Sequence, residues 1–291
     1  GYFQRVAADR LSLMMEMEAD RMVNLALDPE LVATERDVIL EERNQRIENS
    51  AGAIFSEQRS ATQYLAHPYG TPVIGWAHEI RDLTREDALA FYREHYAPNN
   101  AILVVAGDVT PEEVRRLAEE HYGPIPANAD LDPRARPTEP PQRAARRLVY
   151  EDERVAQPYV VRTYLAPERD AGAQEEAAAL TLLAELLGGD GPTPLMKRVL
   201  EIEEQTALYA GAFYRGQLLD DTTFGLIVVP TPDRTLAEAE ADMDRMIARF
   251  LEEGVDAAAL DRLKLQVHAQ EIYARDDLQG LARRYGTALT S

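Results

Sequence analysis

Ala101-Ile102-Leu103-Val104-Val105-Ala106 runs directly into Gly107-Asp108-Val109-Thr110-Pro111-Glu112-Glu113. The first six residues are apolar, partly β-branched and unbroken, as expected of a short strand buried on both faces. Gly107-Asp108 turns the chain, Thr110 stands where an N-cap is needed, and Pro111 fits the first helical position. The glutamates that follow suit the positive end of a helix, which should close near Tyr122-Gly123. The same order recurs later, where residues 226–229 lead into Thr231-Pro232 and another acidic helix. A second parallel is longer. Residues 21–45 (helix, turn at Asp28-Pro29, helix) match residues 246–270 (helix, turn at Glu253-Gly254, helix) at a constant offset of about 225, the mark of an internal duplication.

Composition narrows the possibilities. The 291 residues suit two domains of ordinary size, and 45% hydrophobic with 28% charged residues describes a chain able to fold. The balance of 51 acidic against 31 basic residues gives a formal charge of −20. Nucleic acid and anionic membrane surfaces are therefore repelled, and basic or neutral peptides are the better partners. With no cysteine, disulfides, thiolate metal sites and cysteine nucleophiles are excluded. No apolar run approaches the roughly 20 residues of a membrane span.

Further elements can be placed. A methionine-rich core helix is expected over residues 3–27, a second from Pro29 to about Glu48, a third over 54–66, and a turn at His67-Pro68-Tyr69-Gly70. A helix near 85–95 precedes the first strand. The prolines at 124, 126, 133, 137, 140 and 141 favour an extended connector. This gives a first domain at 1–126, a linker at 127–143 and a second domain at 144–291. In the second domain strands are expected at 148–150, 159–166 and 224–229, and helices at 174–187, 236–253 and 256–274. Gly188-Gly189-Asp190-Gly191-Pro192 lacks the lysine and spacing of a phosphate-binding loop and reads as a turn.

Glu35 and Glu42 are the residues that could carry chemistry. Seven positions apart, they stand within about 20° of one another on a helix, on the same stripe as Leu31, Val38 and Ile39. Charges on an apolar face normally have a partner or a purpose. In the second copy the corresponding positions are Leu260 and Val267, both apolar. The spacing is compatible with a solvated glutamate pair and equally with metal binding or proton transfer. Of the five histidines, none forms the two-imidazole helix turn of a zinc peptidase. His95 and His121 read as helix-end residues and His67 as a turn anchor.

Taken in order, the segment from Glu35 to Glu42, then His67-Pro68-Tyr69-Gly70, His95-Tyr96-Ala97-Pro98-Asn99-Asn100-Ala101, Gly107-Asp108-Val109 and Arg154-Val155-Ala156-Gln157-Pro158 closely resemble the M16 (insulinase or pitrilysin-like) zinc peptidases. The resemblance is to short bacterial M16B-type subunits related to the mitochondrial processing peptidase, and it spans essentially the whole chain. Together with the duplication it implies an α+β fold of two homologous domains, each a mostly antiparallel sheet with helices packed on one face, the LuxS/MPP-like metallohydrolase fold. It implies a Zn2+ cofactor, with Glu42 as the downstream metal ligand and Glu35 as a supporting catalytic acid. Hydrolysis of short or unfolded peptides by a zinc-activated water is the activity implied.

The chain departs from that pattern in two places. The family's His-x-x-Glu-His motif is absent, and its place would lie before residue 1; the expectation is a piece of a longer protein, inactive alone. Members usually carry an arginine and a tyrosine in the second domain, where this sequence has Glu201 and Leu208, with Tyr209 one place away. This implies a homo- or heterodimer in which another M16 subunit supplies arginine and tyrosine. A non-catalytic peptide-binding or scaffold subunit is the alternative. The resemblance suggests a bacterial protein in the periplasm, with the cytoplasm as the other possibility.

Overall fold

The protein is described from a computed structural model, which covers residues 1–132 and 135–290. Pro133 of the connector lies outside the described residues. In chain order the helices are α1 (Leu11–Val23), α2 (Pro29–Arg43), α3 (Ala51–Gln63), α4 (Ala77–Asp82), α5 (Arg85–His95), α6 (Pro111–His121), α7 (Glu175–Gly188), α8 (Leu236–Glu253), α9 (Ala257–Tyr273) and α10 (Leu278–Thr290). The strands are β1 (Val160–Ala166), β2 (Ala207–Tyr214) and β3 (Thr222–Pro230). These form an antiparallel sheet of order β1-β3-β2. The fold is thus α+β, as the sequence implied.

Two compact units are built from interleaved stretches of chain. One comprises Gly1–Asn49, Pro72–Arg136 and Ala274–Thr290; the other comprises Ser50–Thr71 and Pro137–Tyr273. The second unit holds the sheet and the main core. Phe224, Leu226 and Val228 alternate along β3 and are all buried. Against them pack Ala184 and Leu187 of α7, Met196, Val199 and Leu200, and Ala239, Met243 and Met246 of α8. The period of two on the strand meets the three-and-four period of the helices, and burying these facing apolar side chains removes them from water. Gly254 ends α8 at φ 72°, a backbone that side-chain-bearing residues rarely adopt.

In the first unit the helix starts follow their capping chemistry. Asp28 accepts from the Glu30 and Leu31 amides with Pro29 at the first position, and Thr110 accepts from the Glu113 amide with Pro111 beside it. Residues 101–106 differ from expectation. They have no ladder partner among the described residues, and Ile102 and Leu103 are exposed. A strand exists only through its neighbour's hydrogen bonds, so apolar extended backbone without a neighbour is not one. Residues 148–150 likewise form no strand. The first helix is shorter than expected, because residues 1–7 are non-helical.

Candidate functional site

Helix α2 begins at the Asp28 cap and carries Glu35 and Glu42 two turns apart, before its last turn widens into a π turn at Asn44–Glu48. Buried Arg43 fixes the helix end through the Gly75 carbonyl at 2.8 Å, and Arg36 reaches the Leu83 carbonyl at 3.0 Å. The stripe bearing the two glutamates faces water. Leu31 is 64% exposed and Val38 53%, and Glu35 is exposed. The Glu42 side chain is 43% exposed, with its Oε1 2.8 Å from an Arg46 guanidinium nitrogen.

The desolvation cost argued from the apolar stripe therefore does not operate in this structure. The comparison helix tells the same story, since Val267 of α9 is also exposed. Two accessible carboxylates, one of them ion-paired, fall short of the three protein ligands that a catalytic zinc ordinarily takes. Among the described residues no group of three or more His, Asp or Glu is arranged to hold a metal ion. The residues present do not by themselves fit a zinc site.

Glu201 and Tyr209, the positions in question in the second domain, lie together in the second unit. Glu201 Oε1 accepts the Ala210 amide at 2.7 Å, satisfying a donor of β2. Pairing with β3 slips between Ala207 and Tyr209, so one extra residue stands in β2 at Leu208. Leu208 and Tyr209 are consequently both exposed, whereas regular alternation would turn one of them inward. The stretch from Glu201 to Tyr209 thus crosses a bulge.

The histidine motif has a structural role. His67 is buried, its Nδ1 accepts the Tyr69 amide at 3.2 Å, and its Nε2 lies 3.3 Å from Asp220 Oδ2. The Tyr69 hydroxyl accepts the Leu219 amide at 3.0 Å. A further residue, Glu139, escaped the sequence reading because it sits in a proline-rich stretch. Its carboxylate, 4% exposed, accepts the backbone N–H groups of Leu65, Ala66 and His67 at 2.7, 3.0 and 2.9 Å. Burial opposes ionisation, but these three donors and Arg146 outweigh it and hold the carboxyl below its ordinary range. Elsewhere, His95 and His121 are the last residues of α5 and α6, as expected of helix-end residues; His121 Nε2 lies 2.9 Å from Ser12 Oγ, and the His95 ring meets Phe91 edge-on at 4.4 Å. A cleft of about 240 Å³ beside Glu16, Asp20, Glu120 and His121 contains neither Glu35 nor Glu42.

This arrangement is that of an α+β chain with a small antiparallel sheet. The chain belongs to the M16 peptidase family: the family described as "Peptidase M16 inactive domain" matches residues 82–267. It is 28% identical to the zinc protease PqqE of Helicobacter pylori over 98% of this chain, and spans 64% of that protein's length. It is 32% identical to the probable mitochondrial-processing peptidase subunit beta of Schizosaccharomyces pombe, over 38% of this chain and 24% of that protein. The crystal structure of a protease from Helicobacter pylori superposes with a TM-score of 0.85 at 26% identity, covering 98% of this chain and 67% of that one. The periplasmic protease PqqL from Escherichia coli, at 20% identity and a TM-score of 0.76, shows the same fold over 98% of this chain and 32% of its own. No described helix is long and apolar enough to cross a membrane.

Proposed function

We propose that this chain is part of a zinc metalloendopeptidase subunit that hydrolyses short or unfolded peptides, with Glu42 as one metal ligand and Glu35 as the supporting acid on the same helix face. The observation that carries this reading is the similarity to a protein named as a zinc protease along 98% of the chain. Glu42 supports it by position, since its carboxylate is accessible and only its partner Arg46 must move aside. The remaining ligands must come from outside the described residues. Division into a zinc-site domain (1–126), a linker (127–143) and a C-terminal domain (144–291), a bacterial origin, and a periplasmic rather than cytoplasmic location belong to the same proposal. So does association with an M16 subunit that supplies arginine and tyrosine.

A second reading, a non-catalytic peptide-binding or scaffold subunit, is favoured by the inactive-domain match. Zinc content and peptide hydrolysis of the full-length gene product, wild type beside Glu42→Gln, separate the two. About one zinc per chain, lost with activity in the variant, supports the peptidase. Absence of zinc from both makes this the scaffold subunit.

A further inference from the structure

β2 is an edge strand, since the sheet order β1-β3-β2 leaves one of its sides without a ladder partner among the described residues. Two hydrogen bonds fix which of its backbone groups point outward. The Arg215 amide donates to the Thr223 carbonyl at 3.3 Å, so Arg215 faces β3, and with it, at a period of two, Phe213, Gly211 and Tyr209. Ala210, Ala212 and Tyr214 then turn their N–H and C=O groups away from β3. The Ala210 amide has the same phase, because it donates outside the ladder, to Glu201 Oε1 at 2.7 Å.

An acceptor at that distance from an outward ladder donor stands where the carbonyl of a next strand would stand. Ala210 is fully buried, so the carboxylate rather than water holds this donor. Glu201 forms no ion pair among the described residues, while its neighbours Glu203 and Glu204 pair with Arg198 and Arg245. Two irregularities bring it into place. A π turn, Lys197–Glu203, carries Glu201 beside the strand, and the slip in pairing between Ala207 and Tyr209 comes just before Ala210. The edge that follows has small side chains, Ala210-Gly211-Ala212, which let another backbone come close. Its outward groups are also self-complementary. About a twofold axis through Ala212, an antiparallel second copy would set Ala212 opposite Ala212 and Ala210 opposite Tyr214, with every outward donor facing an acceptor.

We propose that Glu201 closes the β2 edge against pairing with a second copy of this chain. In the self-paired arrangement the Ala210 N–H must donate to a Tyr214 carbonyl of the second copy. Glu201 keeps that donor within its own chain and puts a side chain in the path of the incoming strand. Unpaired strand edges are templates for other chains, and a bulge beside an inward-turned carboxylate is a way to close one. The contact is independent of the zinc reading, and its test uses no zinc-dependent signal.

Sedimentation velocity and amide hydrogen exchange of the full-length gene product test it, with wild type beside Glu201→Ala, Glu201→Leu and Glu201→Gln. Leucine keeps the side-chain bulk without an acceptor, which separates lost packing from an opened edge, and glutamine keeps an oxygen that can accept the Ala210 amide. A circular dichroism melt shows which variants are folded. The alanine and leucine variants should double in particle mass relative to wild type as concentration is raised. Their amides at residues 208–214 should exchange fast in dilute solution and about tenfold more slowly once the chains associate. Glu201→Gln should keep the wild-type mass throughout. Folded alanine or leucine variants that hold the wild-type mass at every concentration, association that leaves the 208–214 amides fast, or association of the glutamine variant to the same extent would overturn the proposal. Loss of the fold in both the alanine and leucine variants would do so too, by making Glu201 a residue the unit needs in order to fold.

Discussion

Glu139 Oε2 accepts the backbone N–H of His67 at 2.9 Å, joining residues 72 apart in sequence. With the Leu65 and Ala66 amides, this makes one buried carboxylate responsible for three otherwise orphaned donors. Replacing Glu139 by Gln puts an NH2 group against them and should cost about 1.5–3 kcal/mol, read as a lowered urea midpoint with unchanged slope.

The same group predicts a pH dependence. Its folded carboxyl titrates below the ordinary glutamate range, so the stabilisation is fully present above that range and is lost as pH falls through the folded value. Wild type should therefore lose more stability than Glu139→Gln on acidification below about pH 4.5. Parallel acid melts for the two proteins would show that the carboxylate contributes nothing through ionisation.

Gly188 ends α7 where that helix crosses β2. A Cβ there would lie 2.2 Å from the Ala212 nitrogen and 2.4 Å from the Gly211 carbonyl carbon, both backbone atoms of a strand that is paired on its other side. Helix propensity alone would make Gly188→Ala a gain of roughly 1 kcal/mol. The clash should reverse the sign, to a loss of about 1–3 kcal/mol or more in thermal unfolding.

Glu42→Gln removes an accessible i, i+4 pair with Arg46, worth about 0.3–0.5 kcal/mol. Its melting temperature should match wild type within a degree or two, so any loss of activity or metal in that variant is chemical. A large drop in stability would mean that Glu42 is a packing residue.

Leu200, 0% exposed between the sheet and the helices of the second unit, has no such latitude. Leu200→Ala should cost about 2–5 kcal/mol by chemical denaturation. A cost below about 1 kcal/mol would show that the core closes over the gap.

Much of the fold was legible because its signals are local. The Thr110-Pro111 cap and the residue range of α5 needed nothing beyond their own neighbourhood. β2 was not read as a strand, because Ala207-Leu208-Tyr209-Ala210-Gly211-Ala212 is short of β-branched residues; it is held in place by β3 on one side and by close packing on Gly188. Residues 101–106 err the other way, with strand composition but no ladder partner among the described residues. For the site, the stripe of Glu35 and Glu42 was visible at helical spacing, whereas its exposure depends on what packs against it.

The interleaving of the two units has a consequence for synthesis. The chain passes between them after Asn49, Thr71, Arg136 and Tyr273. Gln63 in α3 finds its partner Thr223 only 160 residues further on. A chain emerging from the ribosome N-terminus first must carry α3 without its sheet for on the order of ten seconds at ordinary elongation rates. Phe55 waits through about 95 residues of synthesis for Tyr150, and Tyr64 through about 160 for Thr223, so residues 50–71 are made long before the chain that covers them.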